Sequence, residues 1–248
     1  MLSKSQCLAF ITVAFLLAFK PVSFKENQLQ FVRVRTAYAE KEEEVSAFLK
    51  QNNLKREELQ ILLRAFKAEK QLQLWAKNAN EKQYRFLKTY PFCMLSGQLG
   101  PKRKEGDFQV PEGFYFIDRF NPASNFHLSL GINYPNASDK ILAKGNRPGG
   151  DVFIHGSCVT IGCIPITNEK IKELYILATE AKSNGQAHIP VYIFPARMDS
   201  EGLKSLRRTY TDNDLASFWN NLKQGYDRFN KTHKELKFNV ARNGLYQF

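Results

Sequence analysis

The sequence predicts an α+β fold, in which a β-rich central domain carries helical flanks at its N- and C-terminal ends. Apolar residues recur with a helical period in residues 41–64 and again in residues 212–229. Between these stretches the period changes to two, which is typical of strands. At 248 residues with 43% hydrophobic content, the chain is long enough for one sizeable core plus an appendage.

Six strands with an alternating pattern and one long helix are predicted inside the central domain, in addition to the strand that ends at His155. Alternating apolar residues place the strands at residues 61–66, 71–76, 84–90, 114–119, 127–133 and 189–194. A helix is predicted from Thr167 or Asn168 to Lys182, and Gly185 ends it because glycine accepts a left-handed C-terminal cap. The polar, glycine-rich residues 136–151 are interpreted as a lid. A hairpin is predicted around Asn243 in the C-terminal tail.

The N-terminus predicts an exported protein. Lys4 followed by the apolar run Cys7–Phe19 is typical of a signal peptide, and the run of 13 residues is short for a membrane span. An uncleaved N-terminal anchor is the alternative, and residues 20–40 show no clear period, which indicates a linker. The predicted location is the periplasm or cell envelope, either free or tethered, with membrane contact only through this N-terminal segment.

The charge balance indicates which classes of partner the protein could bind. A net charge of +12 and a pI near 9.5 predict a surface that attracts an anionic cell wall, a membrane surface or nucleic acid. Nucleic acid is disfavoured because no binding motif is present and the lysines and arginines are scattered. A generally basic exported protein explains the charge equally well.

The central motif of the chain is the run from Phe153 to Thr167, which places a histidine and a cysteine close together. A buried strand ends at His155, and a short loop then leads to Cys163, with Gly162 beside it where a substrate can approach the backbone. A cysteine is nucleophilic as the thiolate, so it requires a nearby base. The pattern therefore predicts a cysteine acyl-transfer site.

Other interpretations of the same cysteines remain open at this point. A buried cysteine is usually an inert small hydrophobe. His155, Cys158 and Cys163 could hold a metal, but their spacing fits no common zinc pattern and a fourth ligand is missing. A Cys158–Cys163 disulfide would strain a tight loop, and pairing of Cys93 with Cys158 stays open. After export, the odd count of Cys93, Cys158 and Cys163 is consistent with one free thiol.

The run from His155-Gly156 through Thr160-Ile161-Gly162-Cys163 resembles the active-site signature of the L,D-transpeptidases, the family with a YkuD-type catalytic domain. Three departures are similar to its YafK-type subgroup: a short His-to-Cys interval, Ile161 where many members have a second histidine, and Pro165 where arginine is usual. A second match runs from Ser96 to Tyr115. The resemblance covers roughly residues 62–197 and implies an open barrel-like sandwich of mixed sheets.

The resemblance also implies roles for the motif residues. Cys163 would attack the substrate carbonyl, and His155 would take the thiol proton and later return one to the leaving amine. The carbonyl of Gly156 would fix the imidazole tautomer. The N–H groups of Gly162 and Cys163 would form the oxyanion hole, and Thr160 would support the loop. No cofactor or metal is implied.

The substrate implied by the resemblance is a peptidoglycan stem peptide, attacked at the L-centre of diaminopimelate. Lys102, Arg103, Lys104 and Tyr134 are the candidate substrate-binding residues. The subgroup favours a hydrolase that releases a wall-attached protein or trims crosslinks. The alternatives are a true L,D-transpeptidase, a non-catalytic wall-binding module and a metal-dependent hydrolase.

These observations divide the chain into four parts. Residues 1–39 form the signal peptide or anchor plus linker, 40–60 a helical flank, 61–197 the catalytic domain and 198–248 a helical C-terminal extension.

Overall fold

The computed structural model describes residues 22–248, so the predicted signal segment lies outside the described part of the chain. Ten strands are present: β1 Leu59–Phe66, β2 Gln71–Asn78, β3 Arg85–Pro91, β4 Gly113–Asn121, β5 Ser129–Ile132, β6 Phe153–His155, β7 Ile164–Pro165, β8 Ile189–Phe194, β9 Asn239–Val240 and β10 Tyr246–Gln247. Six helices accompany them: α1 Phe24–Leu29, α2 Val32–Gln51, α3 Ala137–Leu142, α4 Asn168–Ser183, α5 Ser200–Thr209 and α6 Asn213–Thr232.

Eight strands form one mixed sheet in the order β3-β2-β1-β8-β4-β5-β6-β7. The pairs β1–β8 and β6–β7 are parallel, and the other pairs are antiparallel. Just after β3, the N–H of Cys93 donates to the carbonyl of Pro165 in β7 over 3.0 Å. The two edge strands therefore approach each other and the sheet curls into a half-barrel. The predicted α+β class is confirmed.

The sheet has an apolar layer on each face. Leu62 and Leu63 are adjacent on β1 but enter different layers, because successive side chains of a strand point to opposite faces. The first layer, the α4 face, is covered by α4 and α2, with residues such as Tyr175 and Val45 fully buried. The second layer, the α6 face, is covered by α6 and the C-terminal tail.

The strand predictions are confirmed, with shifted ends. The helix predicted from Thr167 or Asn168 is α4, and Gly185 caps it at φ +90° as expected. The hairpin in the tail is β9–β10, with Gly244 at φ +83° in its turn. The lid of residues 136–151 is helical in its first half, where α3 begins behind the capping residue Asn136.

The linker prediction for residues 20–40 is wrong from Phe24 onward. Helices α1 and α2 occupy this stretch, and Val34, Ala37 and Tyr38 are buried against the rest of the protein. Helix α2 ends at Gln51, so the helical period predicted over residues 41–64 is wrong at its end, where β1 begins at Leu59. Helix α5 was not predicted. Within residues 22–248, no helix is both long and apolar enough to span a bilayer.

Candidate active site

The motif histidine is held in one tautomer by the backbone beside it. His155 ends β6 and is 1% exposed, and its Nδ1 lies 2.5 Å from the carbonyl oxygen of Gly156. A carbonyl oxygen only accepts hydrogen bonds, so Nδ1 carries the proton and Nε2 presents its lone pair. Burial lowers the pKa of His155, and the hydrogen bond to Gly156 opposes this. The imidazole is therefore neutral, and a potential base, at neutral pH.

The parallel pairing of β6 and β7 brings the motif cysteine next to this histidine. Ile154 lies opposite Ile164 and His155 opposite Pro165, so Cys163 enters the sheet beside Phe153. Strands lie about 4.8 Å apart and rise about 3.3 Å per residue, which puts the backbones of His155 and Cys163 about 8 Å apart. The sheet register thus places the imidazole and the thiol on neighbouring strands.

The Cys163 thiol is half-buried and is the one free cysteine among residues 22–248. Its Sγ lies 3.7 Å from the carbonyl oxygen of Asp151, at the end of the lid. Burial raises the pKa of the Cys163 thiol, and the backbone N–H of Phe153 acts in the opposite direction. The thiol is therefore protonated at neutral pH and requires a base to become nucleophilic.

Thr160 organises the loop that leads to the cysteine. Its hydroxyl accepts from the N–H of Cys163 over 2.8 Å and from that of Gly162 over 3.2 Å, and it donates to the carbonyl of Cys163 over 2.8 Å. The two N–H groups expected to form the oxyanion hole are thus engaged by Thr160. These N–H groups could bind an oxyanion only after their hydrogen bonds to the Thr160 hydroxyl are broken.

Gly162 packs tightly on a second loop. Its φ is +132°, and a Cβ at this position would lie 3.0 Å from the carbonyl oxygen of Gln109. Both the backbone conformation and the close approach require glycine here. Residues 97–112, which contain Gln109, therefore form the support behind the Cys163 loop.

A disulfide joins Cys93 to Cys158, with 5.4 Å between the Cα atoms. This pairing excludes the Cys158–Cys163 disulfide considered above and leaves Cys163 unpaired, as the odd cysteine count predicts. It also removes Cys158 from the hypothetical metal set. Residues 22–248 contain no group of three or more His, Cys, Asp or Glu side chains that could hold a metal. The bond fixes the loop that leads to Cys163 to the segment after β3.

Two of the candidate substrate-binding cations are engaged within the protein. The ammonium of Lys102 is buried and contacts Asp107 over 2.6 Å. Arg103 pairs with the buried Asp139 over 2.7 Å. Lys104 is exposed and makes no ion pair with any residue from 22 to 248. The three consecutive cations therefore differ in availability, and Lys104 is free to meet a ligand.

Tyr134 ties the lid to the same loop. It is 5% exposed, and its hydroxyl lies 3.0 Å from the carbonyl of Pro148 and 3.3 Å from that of Lys102. Beside it, a groove of about 520 Å³ is lined by Glu105, Pro135, Lys140, Asn146, Arg147, Pro148, Gly149 and Gly150. Sequence reasoning missed Lys140 and Arg147. Both lie in the predicted lid of residues 136–151, and this position could have marked them as candidates for contact with a ligand.

Comparison with known proteins gives a family and several relatives. Residues 62–193 match the YkuD family, described as the L,D-transpeptidase catalytic domain. Over 188 residues the chain is 39% identical to YafK of Escherichia coli K12, whose name assigns it to the L,D-transpeptidases, and the match covers 75% of this chain and 72% of the relative. The protein of that name in Escherichia coli O157:H7 matches equally.

Solved structures with similar folds were also found. The helical cell shape determining protein Pgp2 of Campylobacter jejuni aligns over 73% of both chains, with a TM-score of 0.44 and 19% identity. Bd1075 of Bdellovibrio bacteriovorus aligns over 55% of this chain and 48% of its own, with a TM-score of 0.39 and 24% identity.

Proposed function

Because this chain belongs to the family of L,D-transpeptidases with a YkuD catalytic domain, we propose that it is a cysteine acyl-transfer enzyme acting on peptidoglycan stem peptides. The bond attacked is the one at the L-centre of diaminopimelate. The observation that carries the proposal is the hydrogen bond from His155 to the Gly156 carbonyl, which leaves Nε2 available as a base on the strand that pairs with the segment after Cys163.

The first half of the reaction forms a thioester. Nε2 of His155 takes the proton of the Cys163 thiol, and the sulfur attacks the diaminopimelate carbonyl. The tetrahedral intermediate collapses, the bond to the leaving amine breaks, and the imidazolium returns its proton to that amine. Because burial lowers the pKa of His155, this base stays available below pH 6.5. The acid limb of kcat/KM is accordingly expected below that pH.

The oxyanion formed in this step needs donors. We propose that the N–H groups of Gly162 and Cys163 supply them once the Thr160 hydroxyl releases them, since both already converge on one oxygen atom. Thr160 would then hold the loop in shape between turnovers. Donors that converge on one oxygen before reaction need little rearrangement to bind another.

The lid groove suits an acidic peptide. Stem peptides carry carboxylates, and Lys104, Lys140 and Arg147 are exposed cations without ion pairs among residues 22–248. Lys102 and Arg103, through Asp107 and Asp139, instead give this wall its shape. Tyr134 would act from behind, by holding the lid at Pro148.

Hydrolysis is the favoured fate of the thioester. Pro165 lies in β7 opposite His155, so the strand beside the base has no guanidinium to dock a second peptide. Water needs no docking group, so the missing guanidinium slows attack by an amine acceptor more than attack by water. The enzyme would then release a wall-attached protein or trim crosslinks, and transpeptidation is the alternative. The Cys93–Cys158 disulfide supports export, because such bonds persist in oxidising compartments.

The test offers the enzyme a tetrapeptide containing diaminopimelate together with excess D-amino acid, and the products are separated by mass spectrometry. Hydrolysis predicts the shortened tripeptide as the main product. A dominant exchanged tetrapeptide would identify a transpeptidase and overturn the preference for water. If Cys163→Ala retained turnover, the proposed nucleophile would be wrong.

A further inference from the structure

Helix α6 lies outside the family match of residues 62–193, yet one of its side chains reaches the support of the active-site loop. Trp219 is 3% exposed, and its indole N–H donates to Oε2 of Glu112 over 2.7 Å. Glu112 stands just before β4, inside the matched region. A hydrogen bond thus joins the C-terminal extension to the catalytic domain.

The second carboxylate oxygen of Glu112 leads further inward. Oε1 accepts from the N–H of Gly100 over 2.7 Å and from the ammonium of Lys67 over 2.9 Å. The same ammonium donates to the carbonyls of Gly100 over 2.6 Å and Val110 over 2.9 Å. Both charged side chains are fully buried, and all three N–H bonds of Lys67 have acceptors.

These contacts end directly behind the nucleophile. Val110 follows Gln109, whose carbonyl oxygen would lie only 3.0 Å from a Cβ at Gly162. The Gln109 side chain is fixed as well, because its Oε1 accepts from the N–H of Gln98 over 2.7 Å. A shift of Val110 by a few tenths of an ångström would therefore move Gln109 against Gly162 and displace Cys163.

We propose that Glu112, held between Lys67 and Trp219, is a positioning residue for the Cys163 loop, and that Trp219 of α6 contributes to this positioning. The inference rests on the proposed function for its readout in turnover, but its geometry is independent of the substrate. The C-terminal extension would then set the rate of the reaction without touching the reacting atoms.

Two conservative substitutions test the link. Trp219→Phe keeps an aromatic ring but removes the donor, which leaves Oε2 of Glu112 without a partner. Glu112→Gln keeps the shape, but the amide cannot accept from Trp219 and from Lys67 at the same time. A matched control is Phe229→Leu, a fully buried α6 residue that packs on Trp75 and Tyr192 away from Glu112.

The expected result is a fall in kcat of at least tenfold for Trp219→Phe and Glu112→Gln, with KM within twofold of the wild type. Positioning affects the reacting thiol rather than substrate binding, so the two constants should separate. The double variant should be no slower than the slower single variant, since both break one network. Phe229→Leu should lower the urea midpoint by at least as much while kcat stays within twofold.

A second readout needs no peptidoglycan. The rate of Cys163 alkylation by iodoacetamide, followed by mass spectrometry, should change at least threefold in both network variants and stay within 1.5-fold in Phe229→Leu. If the wild type failed to cleave stem peptides, the proposed function would be wrong. The alkylation rates of the variants would still show whether Glu112 positions the Cys163 loop. The inference would be overturned if Trp219→Phe and Glu112→Gln kept the wild-type kcat and alkylation rate. It would also be overturned if Phe229→Leu changed both quantities as much as they do.

Discussion

The two faces of the sheet use similar charged pairs in different surroundings. On the α4 face, the carboxylates of Glu173 and Glu180 are buried, but their partners Lys88, Lys25 and Arg56 remain 23–32% exposed. On the α6 face, Lys67 and Glu112 are both 0% exposed. The α4 pairs therefore lie at a rim that water reaches, and the α6 pair lies in the interior.

The difference shows where the protein needs polar groups. Water can replace a partner at the rim, so such pairs contribute about 0.2–1 kcal/mol. Water cannot replace a partner in the interior, so breaking a buried pair costs about 3–5 kcal/mol. The interior pair is also the one that touches the support of the nucleophile. On the α6 face, the buried Lys67–Glu112 pair therefore holds the neighbouring backbone in place.

The largest effect on turnover is expected at the loop that carries Cys163. Cys163→Ala should abolish turnover, because among residues 22–248 Cys163 is the one free cysteine and it directly precedes the strand paired with that of His155. Cys158→Ala should leave most of the activity, and Cys93→Ala should match it, since both remove the same disulfide. The measurement is product formation from a stem peptide. Loss of turnover in Cys158→Ala equal to that in Cys163→Ala would contradict a single nucleophile.

An intermediate effect is expected inside the α6 face. Lys67→Met leaves the buried carboxylate of Glu112 without its cation and should lower the free energy of unfolding by about 3–5 kcal/mol. Urea denaturation measures this change.

The matched control is Arg64→Met on the same face. Arg64 is 3% exposed, lies among aromatic rings and has no acidic partner among residues 22–248, and burial lowers its pKa to about 10. Methionine fills similar space without a desolvated charge, so stability should stay the same or rise. A larger loss in Arg64→Met than in Lys67→Met would remove the distinction between paired and unpaired interior charges.

The smallest effect is expected at the rim of the α4 face. Lys172 pairs there with Glu40 and Glu169, which are 46% and 64% exposed. Lys172→Gln should lower the free energy of unfolding by less than about 1 kcal/mol, and 0.5 M salt should remove most of the difference. A loss as large as that of Lys67→Met would erase the contrast between the two faces.

Local patterns predicted the elements that depend on local chemistry. The strands followed from period two, and α4 followed from its apolar face and Gly185. Helix α2 was missed at its start because its buried residues Val34 and Ala37 stand among polar residues such as Arg33, Arg35 and Thr36, and their burial depends on α4. Tertiary contacts, which a local pattern does not contain, decide such a segment.

The site was predictable as a motif but not as a set of contacts. The sequence indicated His155 and Cys163 as neighbours, and their roles stay a prediction. It could not show that Cys158 pairs with a cysteine 65 residues away. Nor could it show that the charges of Lys102 and Arg103 are neutralised by Asp107 and Asp139, because neither partner stands at a spacing that signals an ion pair.

The parallel pairing of β1 with β8 determines when the site can form. Leu63 pairs with Val191, and β8 also pairs with β4, so in the strand order β8 lies between the first three strands and the strands that carry the motif. Contacts between residues so far apart in sequence form late and slowly, because a long loop must close first. A growing chain thus contains His155 and Cys163 well before it contains a site. The eight-stranded sheet that carries the motif is complete only when Ile189–Phe194 has been made and inserted between β1 and β4.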